Sequence, residues 1–242
     1  MGHFLAGKPI ITIGSKVIRA RLTTFYKIAE VGLSSRTVGT AKLTEARDVL
    51  SKALQPVRLG DKGVCHQEQL TVLSIDLRGS SQFPVRYDAE DVFVAIQCFL
   101  PTMAFLVKHC RGEVLGLRGD GLIAAFGFGD RYWEESINAA YECGMLMLET
   151  TREYLVPFLS EKGRAVDLRA GAAIDVGEIL ITKIGLDDIH EVTAYGAAVN
   201  TAAKNAKGEN KVWVSAATEK CAGGNGSSAR SYSPCERRVR EG

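Results

Sequence analysis

The chain has 242 residues, of which 46% are hydrophobic and 24% are charged, a composition typical of a soluble globular protein. The formal net charge is only +2, so charge gives no reason to expect binding to nucleic acid or to an anionic membrane. The first residues lack the pattern of a signal peptide, and no apolar run reaches the roughly 18 residues of a membrane span. We therefore expect a cytoplasmic protein whose six cysteines are free thiols.

Residues 1–65 predict a helical accessory segment. Apolar residues have helical spacing at 21–32 and at 43–54, and a stretch containing Pro56 and Gly60 then interrupts the pattern. We expect the main domain to cover residues 66–220. The Gly/Ser-rich and then basic residues 221–242 predict an irregular tail.

The main domain is predicted to begin with a strand and a long helix. Residues 70–77 are almost continuously apolar, which favours a buried central strand. Residues 89–110 show a helical apolar face, with Pro101 as a candidate kink. Residues 113–127 then predict a β-hairpin with Gly119, Asp120 and Gly121 at its tip.

The second half of the domain is predicted to repeat this alternation. It comprises a helix at 133–159, two strands around a bend at Gly177 within 166–185, a helix at 195–207 and a strand at 211–215. The order β-α-β-β-α-β predicts an α+β fold with a ferredoxin-like core.

Two acidic residues fall where predicted strands end. Asp76 closes the strand at 70–77, and Asp120 lies at the hairpin tip. Each also has an ordinary role as a turn or helix-cap acid. In a ferredoxin-like sheet the first strand and this hairpin are neighbours, so we expect the two carboxylates to meet. Their repulsion is relieved by a divalent cation, and oxygen ligands suit Mg²⁺ or Mn²⁺.

Four segments in order resemble the catalytic domain of class III nucleotidyl cyclases. They are LSIDLRGSS (73–81), LRGDGLIAAFG (117–127), VDLRAGAAIDVGEI (166–179) and YGAAVNTAAK (195–204). The resemblance, which covers about residues 68–215, implies that Asp76, Asp120 and the Leu77 carbonyl bind two Mg²⁺ or Mn²⁺ ions per active site. It also implies in-line attack of the ribose 3′-hydroxyl on the α-phosphate of a nucleoside triphosphate, with loss of pyrophosphate.

The resemblance implies roles for three further residues. Arg169 matches an arginine that contacts the triphosphate, and Asn200 matches an asparagine that orients the ribose. Lys204 stands where the family has an arginine that stabilises charge on the α-phosphate. A surface charge is the ordinary alternative for Arg169, as is a packed polar residue for Asn200. Because the family supplies the last two groups from the partner subunit, the resemblance implies a homodimer with composite active sites.

The predicted base pocket departs from that of the purine cyclases. They place a lysine four residues before the second metal aspartate and an acid seven residues before the asparagine, where this chain has Gly116 and Thr193. With its short layout and helical N-terminal segment, the chain resembles the pyrimidine cyclases of bacterial anti-phage signalling, the Pycsar group. The Thr193 hydroxyl suits uracil or cytosine. Arg86 and Tyr87 are candidate supplements, with a solvent-facing helix start as their ordinary role.

We therefore expect a uridylate cyclase, with UTP ahead of CTP. The alternatives are a cytidylate cyclase, an adenylate or guanylate cyclase with an altered base pocket, and a catalytically silent dimerisation module. Retention of both metal aspartates, Arg169 and Asn200 disfavours the silent module. An RNA-recognition module is disfavoured because the central strands offer no aromatic platform.

Overall fold

The computed structural model describes residues 3–5, 12–34, 65–129, 133–186 and 189–223. Its elements in chain order are β1 (His3–Leu5), α1 (Ser15–Ser34), β2 (Cys65–Leu77), α2 (Phe83–Arg86), α3 (Ala89–His109), β3 (Glu113–Arg118), β4 (Gly121–Phe126), α4 (Trp133–Thr150), α5 (Val156–Glu161), β5 (Ala170–Leu186), β6 (Ile189–Tyr195), α6 (Ala197–Asn205), β7 (Val212–Val214) and α7 (Ala216–Gly223). A π-helical turn joins α4 to α5 within the predicted helix at 133–159. The predicted helix at 43–54 lies outside the described residues.

A central sheet carries the predicted ferredoxin-like core. Its strand order is β1-β7-β5-β2-β4-β3, and β6 pairs with β5. The neighbours β5, β2, β4 and β3 are all antiparallel, as the βαββαβ unit requires, whereas β7 runs parallel to β5. The α+β fold predicted from the sequence is therefore confirmed.

Both faces of β2 are covered, which explains its nearly continuous apolar sequence. Leu73, Ile75 and Leu77 join the main core, which lies under α1, α3 and α4. Leu70 and Val72 point to the other face, where a smaller cluster packs beneath α6. The smaller cluster supports the strand ends and the helix that carry the predicted site.

Helix α1 is packed into the main core. Its apolar residues Ile18, Leu22, Phe25 and Ala29 are all buried. On the polar side, Arg164 pairs with Glu30 at 2.9 Å and with Asp91 of α3 at 2.6 Å. The domain boundaries at 65/66 and 220/221 stay predictions. Residues 221–223 of the predicted tail form the end of α7.

The predicted bend at Gly177 is wrong, because β5 is one continuous strand of 17 residues. Its pairing with β2 runs without a shift through the pair Leu70–Gly177. A Cβ atom at position 177 would lie 3.4 Å from the Cβ atom of Ala198 in α6. The glycine therefore allows α6 to approach the strand closely, which is the second common reason for a glycine within a strand. Strand β6 was not predicted.

Helix α3 is long and apolar enough to meet the length and composition criteria of a membrane span, with a mean hydropathy of 1.6. This property of α3 was not predicted from the sequence. However, 61% of the apolar window is buried inside the fold, against α1 and the sheet. Packing of this kind is what a core helix of a globular domain shows.

Candidate active site

The end of β2 and the β3–β4 turn bring Asp76 and Asp120 to one edge of the sheet. The pairing of β2 with β4 reaches Ile75 and Leu122, and its continuation places Asp76 opposite Gly121. A Cβ atom at Gly121 would lie 2.7 Å from the Ile75 carbonyl oxygen and 3.0 Å from Asp76 Oδ1. Only glycine permits this approach. The neighbouring Gly119 has a φ of +63°, which also favours glycine in the turn.

The charge of Asp76 is poorly accommodated by the protein alone. Burial raises the pKa of its carboxyl, and the nearby Asp120 carboxylate raises it further. Arg78, whose Nη2 lies 3.5 Å from Asp76 Oδ2, and the Leu77 N–H group act in the opposite direction. Across the turn, Asp120 Oδ2 is buried without a hydrogen-bond partner. Asp120 Oδ2 therefore lacks the donor that a buried carboxylate oxygen normally has.

These features fit a divalent cation. A buried, unpartnered carboxylate oxygen beside a second carboxylate is a donor set that Mg²⁺ or Mn²⁺ suits. Among the described residues, no group of three or more Asp, Glu, His or Cys side chains can hold a metal ion. A neutral carbonyl oxygen, such as that predicted at Leu77, is a further ligand type that Mg²⁺ and Mn²⁺ accept.

Arg169 lies at the same edge, next to the start of β5. Its carbonyl oxygen accepts a hydrogen bond of 2.6 Å from the Arg78 N–H group, which links β5 to the end of β2. Its guanidinium forms ion pairs with Asp167 (3.2 Å) and Glu209 (3.1 Å) and stays 41% exposed. The pair with Asp167 lacks hydrogen-bond geometry, so Nε has no hydrogen-bond partner. The backbone of Arg169 is thus held beside the end of β2, while its guanidinium lies between the carboxylates of Asp167 and Glu209.

Arg78 also lies at this edge and was not predicted from the sequence. Its Nη1 donates to the Ala206 carbonyl oxygen at 2.8 Å, just beyond the C-terminal end of α6, while Nη2 faces Asp76. Arg78 therefore connects the acidic edge to the helix that carries Asn200 and Lys204. A cation two residues after a strand-end acid was the available signal, because alternate residues of a strand share a face.

Asn200 and Lys204 lie on the exposed surface of α6, one helical turn apart. No hydrogen bond or ion pair within the described chain joins either side chain to Asp76, Asp120 or Arg169. The structure therefore brings three of the predicted residues together and leaves these two facing outward. Their exposure is what the predicted composite site requires of groups that act on a partner subunit.

The two predicted base-reading positions lie on β3 and β6. Gly116 pairs with Ile123 just after a register shift in β3, and Thr193 is partly exposed on β6. Arg118, two residues beyond Gly116, donates from Nη2 to Thr193 Oγ1 at 3.2 Å. This contact joins positions 75 residues apart, so no local pattern in the sequence indicates it.

Of the two candidate supplements to the base pocket, Tyr87 has structural contacts. Its ring packs edge-on against Phe83 at 5.6 Å between centroids and contacts the main core. Its hydroxyl oxygen accepts a hydrogen bond from the Asp167 N–H group at 3.2 Å. Arg86 is exposed at the end of α2. Tyr87 thus braces the segment that precedes Arg169.

The sequence model of the adenylate and guanylate cyclase catalytic domain matches residues 64–238, well over half of the chain. The chain belongs to this cyclase family. The resemblance read from four short segments is thereby confirmed, and the acidic edge described above lies inside the matched region.

Curated relatives of this cyclase domain include pyrimidine cyclases. The chain is 29% identical to a cytidylate cyclase of Escherichia coli over 59% of its length and 32% of the relative's. It is 23% identical to a uridylate cyclase of Rhodovulum sp. (strain MB263) over 55% of its length and 56% of the relative's. The chain thus spans between about a third and about half of these relatives.

Solved cyclase structures share the fold of this domain. The guanylyl cyclase Cya2 superposes with a TM-score of 0.58 at 24% identity, over 65% of this chain and 80% of that one. The adenylyl cyclase CyaB from P. aeruginosa gives the same TM-score at 21% identity, over 65% and 82%. At these identities the likeness shows the fold only.

Proposed function

We propose that this nucleotidyl cyclase domain is a pyrimidine nucleotide cyclase that converts UTP to 3′,5′-cyclic UMP and pyrophosphate. The observation that carries the base assignment is the pair Gly116 and Thr193, which stand where purine cyclases have a lysine and an acid. Losing both hydrogen-bonding partners of adenine costs orders of magnitude in discrimination. Relatives named cytidylate and uridylate cyclase support the same assignment.

Asp76, Asp120 and the Leu77 carbonyl are proposed to hold two Mg²⁺ or Mn²⁺ ions. When bound, these cations supply activation of the ribose 3′-hydroxyl and neutralisation of the phosphates. Arg169 binds the triphosphate and keeps it at the edge where Asp76 lies. Asn200 donates to the ribose so that the 3′-hydroxyl faces the α-phosphate in line with the departing pyrophosphate. The Lys204 ammonium stabilises charge on the α-phosphate as a point charge.

The functional unit is proposed to be a homodimer with two composite sites. Asn200 and Lys204 face outward on α6, while Asp76, Asp120 and Arg169 are grouped at the sheet edge. One chain therefore carries both sets of residues, but its fold does not bring the two sets into contact. In a head-to-tail dimer, α6 of one subunit completes the acidic edge of the other.

CTP is the second candidate substrate. The relative with 29% identity is named a cytidylate cyclase, as is a second relative, from Staphylococcus aureus, with 23% identity. The Thr193 hydroxyl both donates and accepts, so it is compatible with the pairing edge of either pyrimidine. We place UTP first on the resemblance to the anti-phage uridylate cyclases, and propose that the cyclic product is a cytoplasmic anti-phage messenger.

The decisive experiment is incubation of the purified chain with each of the four ribonucleoside triphosphates and Mn²⁺, followed by mass spectrometry of the products. We expect cyclic UMP as the main product and no cyclic AMP above the level of an Asp120→Ala control. Cyclic CMP as the main product would support the second candidate. A main product of cyclic AMP or cyclic GMP contradicts the pyrimidine assignment, and no product with any nucleotide favours the silent module.

A further inference from the structure

The hydrogen bond between Arg118 and Thr193 links the two regions from which the purine-reading groups are missing. Arg118 is the last residue of β3 and Thr193 lies on β6, two strands that are not neighbours in the sheet. The Arg118 guanidinium therefore reaches across a face of the protein to make this 3.2 Å contact. The contact brings a cation to the region where this chain has Gly116 and purine cyclases have a lysine.

Gly116 and Arg118 lie on the same face of β3. They pair with Ile123 and Gly121 respectively, and residues two apart in a strand point to the same side. Ile123 belongs to the smaller apolar cluster, so this is the side on which β6 and α6 lie. Gly116 adds no side chain there. The guanidinium at 118 is thus the nearest charged group that β3 contributes to the predicted base pocket.

The Arg118–Thr193 pair presents mainly hydrogen-bond donors. A guanidinium has five N–H groups and no acceptor, and the contact with Thr193 uses a hydrogen of Nη2. The Thr193 hydroxyl accepts that bond, which leaves its own hydrogen to be donated. Adenine carries an amino group on its pairing edge and has no carbonyl oxygen. Uracil and cytosine share a carbonyl oxygen at C2, a feature that neither adenine nor guanine has.

Arg118 is also available to a ligand. Its side chain is exposed, and no carboxylate pairs with it among the described residues. The neutral Thr193 hydroxyl orients the guanidinium without neutralising it. A cation that is positioned but not paired is suited to bind an acceptor on a substrate, because a hydrogen bond from a charged donor is stronger than one from a neutral donor.

We propose that Arg118 is the specificity-determining residue of the base pocket: its guanidinium, oriented by Thr193, donates to O2 of the pyrimidine. This rests on the proposed pyrimidine cyclase function. The lysine of the purine pocket is thereby replaced by a cation two residues along the same strand. The site becomes selective for a C2 carbonyl, which separates pyrimidines from purines.

The test compares kcat/KM of the wild type, Arg118→Met and Thr193→Val on UTP, CTP and ATP. Arg118→Met should lower kcat/KM for the preferred pyrimidine about 10- to 100-fold, since hydrogen bonds to charged groups contribute in this range. The loss should fall mainly on KM, with ATP little affected. Thr193→Val should act in the same direction but less. The matched control is Arg152→Met, which removes an exposed arginine paired with Glu153 and should leave all rates unchanged.

A sulfur substitution in the substrate tests the atom assigned to Arg118. The 2-thio analogue of the preferred pyrimidine triphosphate has a weaker acceptor at position 2, so the wild type should use it less well. In Arg118→Met, replacing the natural substrate by this analogue should lower kcat/KM only slightly, because the hydrogen bond to position 2 is already missing. An equal thio penalty in both proteins overturns the assignment to O2.

Two further outcomes overturn the proposal. Equal losses on all three triphosphates mean that Arg118 acts on the phosphates or on folding, and an unchanged profile means that it does not contact the base. If the wild type shows no pyrimidine preference, the proposed function itself fails, and this inference fails with it. A pyrimidine-specific wild type with an unaffected Arg118→Met variant refutes only the role of Arg118.

Discussion

At the acidic edge of the sheet, Asp76 lies where an anion is poorly stabilised by the protein. Burial and Asp120 both raise the pKa of its carboxyl, and the cation that faces it, Arg78, lies 3.5 Å away and is shared with the Ala206 carbonyl. Asp120 Oδ2 has no hydrogen-bond partner. Repulsion between the two carboxylates is tolerated when a cation is normally bound between them. Removing Asp120 should therefore affect activity, and removing the charge of Asp76 should affect stability.

Asp120→Ala should abolish turnover while the fold is kept. The side chain sits in a two-residue turn and makes no hydrogen bond from its buried oxygen, so its removal costs little core packing. Loss of a metal ligand should reduce kcat by about 1,000-fold or more, since metal stabilisation of phosphoryl transfer amounts to several kcal/mol. The matched control is Asp88→Ala, which removes an exposed acid that caps no helix by its side chain. Near-normal kcat in Asp120→Ala would refute the metal assignment.

Asp76 should make the metal-free protein less stable as pH rises. Its folded pKa is raised, so its stabilising contribution is fully present below the unfolded value of about 3.9 and is lost as pH rises through the folded pKa. Metal-free Asp76→Asn should therefore melt above the wild type at pH 7, and the difference should vanish toward pH 3.

Added Mn²⁺ should reverse this order. Binding to the folded state stabilises the wild type by about 2.7 kcal/mol at 100 times Kd, and Asp76→Asn should gain less. Thermal melts with EDTA and with Mn²⁺ at pH 3 to 8 measure both effects. A wild type that is more stable than Asp76→Asn at pH 7 in EDTA contradicts the expected sign.

At the scale of elements, the sequence predicted what depends on local pattern. The β3–β4 hairpin was found because glycines flank Asp120 between two apolar runs, and α3 was found from its apolar spacing. Gly177 was misread because a glycine in a strand marks either a bend or a close approach, and only the position of α6 distinguishes them. Strand β6 was missed because its residues 189–195 pair with β5 without a regular alternation of apolar residues.

Enlarging Gly177 should impair catalysis through α6. A Cβ atom there would lie 3.4 Å from that of Ala198, so Gly177→Ala should be tolerated while Gly177→Val should push α6 away from β5. Overpacking of this kind costs about 1–3 kcal/mol of unfolding free energy. Because α6 carries Asn200 and Lys204, kcat should fall more than the affinity for Mn²⁺.

A second substitution provides the control for Gly177. Ala198→Gly removes the opposing methyl group and should partly restore kcat to Gly177→Val, although it costs about 1 kcal/mol in helix propensity. Unchanged kcat in Gly177→Val, or no recovery in the double variant, would show that the β5–α6 spacing does not position Asn200 and Lys204.

Helix α1 should be inseparable from the main domain in stability. Leu22 is fully buried in the main core, so Leu22→Ala should lower the unfolding free energy of the whole domain by about 2–5 kcal/mol in a single transition. Lys27→Ala, on the exposed side of the same helix, should change it by no more than about 0.5 kcal/mol. Chemical denaturation followed by far-UV circular dichroism measures this. A small loss in Leu22→Ala would support a separable accessory segment at 1–65.

At the scale of the whole molecule, the sequence predicted five site residues, but a single folded chain brings only three of them to one edge of the sheet. Asp76, Asp120 and Arg169 lie at one edge of the sheet because β4 and β5 both pair with β2, which the ferredoxin-like pattern predicts. Asn200 and Lys204 were found from resemblance, and folding leaves both exposed on α6. The contacts of Arg78 with Ala206 and of Arg118 with Thr193 span 128 and 75 residues, so only the folded structure reveals them.

Complementation between two inactive variants tests the composite site directly. Asp120→Ala removes a metal ligand and Asn200→Ala removes the ribose contact, and each homodimer should be inactive because both of its sites carry the defect. In a heterodimer, one site combines both defects, while the other receives an intact Asp120 from one subunit and an intact Asn200 from its partner. Random exchange of equal amounts gives half heterodimers with one working site each, so activity should recover to about a quarter of the wild-type value, by the 1:2:1 statistics of a symmetric dimer. Differently tagged subunits, purified by both tags in sequence, should recover about half. Mixing Asp120→Ala with a tagged copy of itself should give no activity.

Two outcomes would contradict the composite site. If tandem-purified heterodimers show no activity, the acidic edge and α6 do not act on one nucleotide across the subunits. If either parent variant is active alone, the residue that it lacks is not needed for turnover.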